Sequence, residues 1–269
     1  MTGERSGTGD PTRTLELLWR GGPHGTGDRP ARGRKPRITV DGIVAAAVAV
    51  ADRDGIAAMS MPRVAESLGV GTMSLYTHVP GKAELIDLMV DAVLAERDLP
   101  RAGRPGRADW RSRVELYAES TLALHRRHPW LRQVSLVRPP LGPGLLAQEE
   151  FLIAALSGSG LPTAEIAPAA GAVAAAVDSA AGAEVEYAHA ERADGQSDDA
   201  WWAARASFWE HHFDPEGHPA IAALWQAGAL DRSAGEAARA AGAFGLARLL
   251  DGIEARARAA ADPAAGPPR

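Results

Sequence analysis

Apolar residues recur at helical spacing through most of the chain, beginning just after Thr39. Ile43, Ala47 and Val50 fall at i, i+4 and i+7, which places them on one face of a helix. The same spacing predicts further helices over 61–68, 72–79, 82–98, 109–128, 130–137, 143–157, 162–191, 198–213, 218–228 and 234–260. No stretch shows sustained alternation of apolar and polar residues. We therefore predict an all-α fold without a sheet.

Composition divides this helical pattern into three parts. Residues 1–37 are rich in Gly, Pro, Arg and Thr, and we predict a mostly disordered basic extension in which only 15–19 forms a short docked helix. A joint of Pro, Gly and Arg spans 99–109. It separates a predicted domain of short helices over 38–98 from a larger helical domain over 107–261.

Composition also limits the class of protein. The 269 residues are 46% hydrophobic and contain no cysteine, which excludes disulfides and thiolate chemistry. The N-terminus lacks the apolar region of a secretory signal. The apolar run 166–177 has 12 residues, against the roughly 20 that a spanning helix needs. We expect a cytoplasmic protein with no membrane partner.

Charge is unevenly distributed along the chain. Residues 29–82 hold eight Lys or Arg and four Asp or Glu, whereas 98–269 hold 17 and 22, so the net charges are +4 and −5. A basic N-terminal part on an acidic body indicates an anionic partner at one end only.

The segments 61–68 and 72–79, joined by a turn that contains glycine, match the helix-turn-helix pattern. The second segment is too short to be stable alone, so Leu75 and Val79 must anchor it. This leaves five side chains outside, all able to enter a major groove: Thr72, Met73, Ser74, Thr77 and His78. A helical hairpin in a bundle core would show the same spacing, which leaves both interpretations open.

The residues from Ile43 to Leu85 carry a further signal. They contain Leu68-Gly69-Val70, then Leu75-Tyr76-Thr77-His78-Val79, then Lys82 and Glu84-Leu85. This combination resembles the N-terminal domain of the TetR family of bacterial transcriptional repressors.

The resemblance implies roles for individual residues in binding double-stranded DNA. Base-facing positions correspond to Thr72, Met73 and Ser74. Phosphate-binding positions correspond to Tyr76, Thr77, His78 and Lys82, with Ser60 and Arg63 near the backbone from the supporting helix. For Tyr76, packing against the next helix is an equal alternative.

Two features limit what the resemblance implies for the operator. Pro62 stands where the tetracycline repressors carry a base-reading arginine, so their operator sequence is not transferred. The basic arm 29–37 precedes the first helix, where it would act either as a minor-groove arm or as a solvated linker.

In the same family, the helical C-terminal domain binds a small-molecule effector and forms a homodimer. His128-Pro129-Trp130 and the run 244–253 resemble the tetracycline-repressor-like subgroup. A stripe of small and apolar residues would form the dimer interface: Val173, Val177, Ala180, Ala243, Leu246, Ala247, Leu250 and Ile253. The alternative is that this stripe belongs to the core of one chain. A two-fold dimer would bind a pseudo-palindromic operator.

An effector pocket should be mostly apolar with a few inward polar groups. The candidates are His125, Trp130, Asp178, Glu184, Tyr187, Trp201, Trp202, Phe208, Trp209 and His212. Core packing explains any one of them, so the prediction concerns the cluster. The residue types favour a lipophilic or aromatic effector.

Two other functions remain as alternatives. Glu186-x-x-His189 has the spacing used by di-metal helical bundles, but a matching second motif is missing from the sequence. A DNA-binding protein whose body binds another protein is the second alternative. We predict a ligand-responsive regulator, a repressor released by its effector, that is not an enzyme and needs no metal or cofactor.

Overall fold

The computed structural model describes residues 4–21, 38–100, 110–230 and 233–261. These residues form α1 (Pro11–Leu18), α2 (Val40–Asp54), α3 (Met61–Ser67), α4 (Thr72–Tyr76), α5 (Lys82–Leu94), α6 (Trp110–Arg127), α7 (Pro143–Ser157), α8 (Thr163–Asp194), α9 (Asp198–Ala203), α10 (Ser207–His211), α11 (Pro219–Gln226) and α12 (Ala234–Ala261). Short 3₁₀ helices span Ile56–Ala58 and Pro129–Gln133. Two strands, β1 (Glu4–Arg5) and β2 (Val134–Ser135), have two residues each. The predicted all-α fold is confirmed.

Four details differ from the predicted elements. The chain forms one small parallel sheet from β1 and β2, where we predict none. The predicted helix over 130–137 is a 3₁₀ helix followed by β2. The predicted helix over 198–213 is divided into α9 and α10, for which the sequence offers no physical reason. The segment predicted as 72–79 is helical only to Tyr76, since Pro80 disfavours helical backbone in the residue before it.

Residues 4–21 of the N-terminal extension are folded, where the sequence predicts only a short helix over 15–19. Asp10 caps α1, and Leu17 and Leu18 are buried in the core. β1 pairs in parallel with β2, with Glu4 opposite Val134. Residues 22–37, including the basic arm 29–37, lie outside the described residues. The short docked helix predicted over 15–19 corresponds to α1, which packs into the core through Leu17 and Leu18.

The described chain divides into two compact units. The first contains the residues up to Ala170 together with those from Arg256, and the second is Gly171–Ala255. In the first unit, α5 is buried on nearly all sides and packs against α1, α2 and α7. The same core continues to Trp130 and Leu145. The predicted boundary at 99–109 therefore does not divide the hydrophobic core.

Two carboxylates are buried on α5 and connect it to other segments. Asp87 accepts hydrogen bonds from the Ser6 hydroxyl and, at 2.9 Å, from the Gly7 N–H. Asp91 accepts from the backbone N–H groups of Gly144 (3.2 Å) and Leu145 (2.9 Å) at the start of α7. Burial raises the pKa of both carboxyl groups above the ordinary value, although these hydrogen bonds oppose the rise. α5 is thus hydrogen-bonded to the N-terminal segment and to α7.

Small residues bring α8 and α12 close together in the second unit. A Cβ atom added at Gly242 would lie 2.7 Å from the Cβ of Ala180. Four residues of the predicted dimer stripe are buried within this single chain: Val173, Val177, Leu250 and Ile253. This corrects their assignment to a dimer interface, because side chains enclosed by their own chain have no surface for a partner. Leu246 and Ala247 are half-buried, and Ala243 is exposed.

The helix α8 is longer than its apolar run suggests. Thr163–Ala188, 26 residues, is long and apolar enough to cross a membrane by length and composition. The sequence prediction, which considered only the 12 apolar residues 166–177, therefore underestimates the length of this apolar helix. One such helix is weak evidence, because core helices of globular proteins meet the same criterion. Its buried face carries Val173, Val177, Ala181 and Val185.

Candidate nucleic-acid interface and effector site

Local hydrogen bonds fix where α3 begins and where the chain turns from α3 into α4, the two helices of the helix-turn-helix. The Ser60 hydroxyl caps α3 by accepting from the Arg63 N–H at 3.4 Å. The helix ends at Ser67 with Leu68 as its cap, and Gly69 follows with a φ of 65°, which suits glycine. The N–H groups of Gly69 and Val70 then bond to the carbonyls of Glu66 and Ala65, each at 3.0 Å. This is a Schellman motif, and it turns the chain into α4.

Two fully buried anchors hold α4 in place. Leu75 and Val79 have no exposed surface. On the opposite side, Met73 is 76% exposed, and Thr72 and Ser74 are half-buried beside it. The start of α4 thus presents three short or flexible side chains to solvent, as a base-reading helix requires.

The predicted phosphate-binding residues follow at the end of α4. Tyr76 is 42% exposed. The Thr77 hydroxyl donates to the Ser74 carbonyl at 2.7 Å, so it would have to exchange that bond for a phosphate. His78 is half-buried, and its N–H donates to Leu75 at 2.9 Å. All three lie within the same turn of the chain.

The two predicted phosphate-binding cations are paired with carboxylates of the protein itself. Arg63 lies 3.0 Å from Asp54. Lys82 Nζ lies 2.6 Å from Glu4 Oε1, a contact with the N-terminal segment. Hydrogen bonding from Arg53, together with the charges of Arg53 and Arg63, lowers the pKa of Asp54 below the ordinary value, although desolvation opposes this. To bind a phosphate as predicted, each cation would have to give up its carboxylate partner.

A partly buried hydrogen-bond network joins α2 and the segment after α5 to the 3₁₀ helix after α6. The Trp130 indole N–H donates to Asp52 Oδ1 at 2.7 Å, and His128 lies 2.8 Å from the same oxygen and 3.1 Å from Glu96. Although burial acts to raise the pKa of Glu96, hydrogen bonds from His128 and Arg127 hold it below the ordinary value. Trp130 is 1% exposed. It packs in the core of the first unit, and its place in an effector pocket stays a prediction.

Aromatic residues of the second unit form a cluster. Trp209 contacts Phe208 at 5.1 Å between ring centroids, and Phe208 lies 6.5 Å from His212. The structure adds Phe213 and Trp225 to this group, since Trp209 lies 5.2 Å from the first and 5.9 Å from the second. Phe213 follows Trp209 by one helical turn, a spacing that could have indicated it. Trp225 comes from another helix, and no local pattern predicts that contact.

The remaining effector candidates are placed separately. Trp201 packs edge-on against Trp202 at 4.9 Å, and the Arg205 guanidinium lies over the Trp201 ring at 3.6 Å. Asp178 and Tyr187 are exposed on α8, and Glu184 is half-buried. His125 is a buried residue of the first unit.

The described residues contain no group of three His, Cys, Asp or Glu that could hold a metal ion. Glu186 of the di-metal alternative is exposed on α8. The side chain of His189 lies outside the described residues. The geometry therefore adds nothing in favour of the di-metal interpretation.

Comparison with known proteins identifies the family. A profile described as bacterial regulatory proteins, tetR family, matches residues 43–89, and one described as tetracyclin repressor-like, C-terminal domain, matches 102–257. The chain belongs to the TetR family. Its helix-turn-helix lies in the first match, and the predicted boundary at 99–109 falls where the second match begins. It is therefore a transcriptional regulator of the TetR type.

Relatives in actinobacteria extend this similarity over most of the chain. It is 42% identical over 251 residues to the HTH-type transcriptional repressor DrrR1 of Streptomyces coeruleorubidus, covering 93% of this chain and 88% of that protein. An HTH-type transcriptional regulator of Saccharopolyspora erythraea is 36% identical over 163 residues, or 61% of this chain and 68% of that protein.

Solved structures of similar proteins include complexes with small molecules. The TetR family protein ActR of Streptomyces coelicolor in complex with actinorhodin is 27% identical, with a TM-score of 0.68, over 86% of this chain and all of that one. ActR in complex with (S)-DNPA is 26% identical, with a TM-score of 0.62, over 82% of this chain and 98% of that one.

Proposed function

We propose that this TetR-family regulator is a cytoplasmic, homodimeric repressor that binds a pseudo-palindromic operator and is released by a lipophilic aromatic effector. The observation that carries the proposal is the geometry of α4. Leu75 and Val79 are fully buried while Met73 is 76% exposed beside Thr72 and Ser74. A helix held this way presents one narrow, chemically mixed edge, which suits the major groove.

The proposed DNA contacts divide into two kinds. Thr72, Met73 and Ser74 would face base edges, and changes there would alter sequence preference. Lys82 and Arg63 would bind phosphates and contribute affinity without sequence preference. The relative DrrR1 is named a repressor, which supports repression over activation.

The proposed effector site is the aromatic cluster around Trp209. Its members are largely accessible, with Phe208 45% and Trp225 49% exposed. Aromatic rings gain free energy by stacking with a planar partner, in addition to the area they bury. The ActR complex with actinorhodin supports a small-molecule effector of this kind.

The proposed dimer contact is the exposed face of α12. Phe244 is 68% exposed on that helix, with the Arg248 guanidinium 5.6 Å from its ring. A large apolar side chain on a long helix is a common centre of a protein interface. Ala243, exposed next to it, keeps its predicted place there.

The proposed function is tested by titrating an operator complex with actinorhodin, followed by fluorescence anisotropy of labelled DNA. The proposal expects the ligand to weaken operator binding and the operator to weaken ligand binding by the same factor. Trp209→Ala should reduce the ligand effect and leave operator affinity unchanged. A ligand that binds the protein without changing operator affinity would refute effector-controlled release. Thr72 variants, in which DNA reading is altered, show whether a missing response comes from the effector or from a failure to read DNA.

A further inference from the structure

Three arginines line one open cleft in the first compact unit. The cleft has a volume of about 870 Å³, and Arg5, Arg132 and Arg138 lie along its wall. They come from β1, from the 3₁₀ helix before β2 and from the segment after β2, respectively. The pairing of β1 with β2 brings these separate segments together.

The three guanidinium groups have no partner among the described residues. All three residues are exposed, and none of their side chains forms an ion pair or hydrogen bond in the part of the chain that the structure describes. Glu4 is the one acid among the described residues of the wall, and it is already bound to Lys82 at 2.6 Å. The cleft therefore presents three positive charges that no acid among the described residues neutralises.

The backbone around Arg138 is closely packed. Gly7 has a φ of +71°, and a Cβ atom added there would lie 2.8 Å from the Arg138 carbonyl oxygen. The N-terminal segment thus lies directly on the segment that carries Arg138. The Ser6 hydroxyl and the Gly7 N–H are both bonded to Asp87 of α5, which holds this segment in place. The arginines are therefore carried on a backbone that is fixed by packing and hydrogen bonds.

The rest of the wall is mixed: it contains the apolar residues Ile56, Ala57, Val134 and Val137 and the polar residues Ser6, Thr8, Gln133 and Ser135. Ile56 and Val134 are buried behind it, whereas Val137 is 89% exposed at its edge. The volume is within the range of small-molecule sites, about 300–1,000 Å³. Guanidinium groups bind carboxylates and phosphates through paired, charge-assisted hydrogen bonds. An apolar surface beside them suits the hydrocarbon part of the same molecule.

We propose that this arginine cleft binds a small amphiphilic anion, in which a phosphate monoester or a carboxylate is attached to an apolar body. The cleft consists wholly of residues of the first unit and shares no residue with the aromatic cluster proposed for the effector. A concave site of this size favours a small molecule over the DNA backbone.

Isothermal titration of the full-length protein with octyl phosphate and with octanoate tests the proposal. We expect at least one of them to bind, and the tighter one identifies the preferred anionic group. Octanol, which lacks the charge, and inorganic phosphate, which lacks the apolar body, should each bind more weakly. Arg132→Gln and Arg138→Gln should each weaken binding by about tenfold, the size expected for loss of a charge-assisted hydrogen bond.

Arg13→Gln is the matched control. Arg13 is also an arginine of the N-terminal segment, but it pairs with Glu16 at 2.9 Å and does not line the cleft. It should leave binding unchanged. Since the substituted cleft arginines are exposed and unpaired, their variants should keep the wild-type melting temperature.

The proposal is overturned if neither amphiphile binds, if octanol binds as tightly, or if the Arg132 and Arg138 variants bind like the wild type. A loss of affinity for duplex DNA in these variants, without amphiphile binding, would show that the cleft is part of the DNA surface. Probe binding is measured without DNA, so failure here leaves the proposed repressor function untouched.

Discussion

If Lys82 binds a DNA phosphate, as proposed, Glu4 competes with DNA for it. The carboxylate lies 2.6 Å from the ammonium group, and the two side chains are 32% and 34% exposed. A phosphate can bind Lys82 only after this ion pair opens. Glu4→Gln removes the charge and keeps the shape, so the variant should bind DNA more tightly than the wild type.

The size of this gain follows from the energy of the ion pair. Partly exposed ion pairs contribute about 0.2–1 kcal/mol. Opening one on binding therefore weakens DNA affinity by about 1.4- to 5-fold. Because both side chains are about two-thirds buried, we expect Glu4→Gln to increase affinity by a factor in the upper half of this range.

The assay is fluorescence anisotropy with a short labelled duplex of arbitrary sequence, since a phosphate contact is independent of sequence. The gain should decrease as salt is raised, because screening weakens the ion pair in the free protein. Lys82→Gln should weaken binding, and Glu4→Gln should have no further effect in that background. This double-mutant cycle isolates the Glu4–Lys82 interaction.

Two results would refute this reasoning. Equal gains from Glu4→Gln with and without Lys82 would mean that Glu4 acts through the overall field of the protein. Unchanged affinity with a lower melting temperature would mean that the pair only stabilises the N-terminal segment.

Three further predictions concern packing, ionisation and assembly. Gly144→Ala should destabilise the protein by about 1–3 kcal/mol in urea unfolding, because its Cβ would overlap the α5 backbone. Gly171→Ala, with open space around it, should be neutral or stabilising. Equal effects of the two substitutions would contradict the close approach of α5 and α7. The raised pKa of Asp91 means that the folded state binds more protons than the unfolded state, so stability should fall as pH rises from about 4 through the raised pKa. The Asp91→Asn variant should therefore gain stability relative to wild type over that pH window. A stability difference that does not depend on pH would refute the raised pKa of Asp91. Phe244→Glu should convert dimers to monomers in sedimentation velocity, and an unchanged dimer would place the interface elsewhere.

The helix-turn-helix could be predicted from sequence because its determinants are local. Gly69 turns the chain after α3, Leu75 and Val79 anchor α4 at one helical turn, and Ser60 caps the start. Each of these effects acts within a few residues. The family resemblance also rests on this short run, and the family assignment is confirmed.

The contacts of the N-terminal segment could not be predicted in the same way. Glu4 meets Lys82 and Ser6 meets Asp87 across about 80 positions of sequence, and no periodicity links them. A composition rich in Gly and Thr suggests disorder, but the buried carboxylates of α5 supply hydrogen-bond acceptors that order this segment. Trp130 is a similar case, since its partner Asp52 lies in a distant helix.

The dimer stripe shows a different limit. Small and apolar residues at helical spacing predict that two helices approach closely, without indicating whether both belong to one chain. The contact of Gly242 with Ala180 uses this pattern inside the second unit. Only exposure, as at Phe244, distinguishes a surface left for a partner.

The central claim is that α4 of a homodimer reads a specific operator. The most direct measurement is selection of bound duplexes from a random-sequence pool with the purified protein, wild type and Thr72→Val in parallel. We expect the wild type to enrich two inverted half-sites separated by one or more helical turns, about 34–36 Å each. Thr72→Val should change the preferred base within each half-site, at a cost of about 1–3 kcal/mol for the original one. Enrichment of no sequence, or of the same sequence by both proteins, would contradict the account.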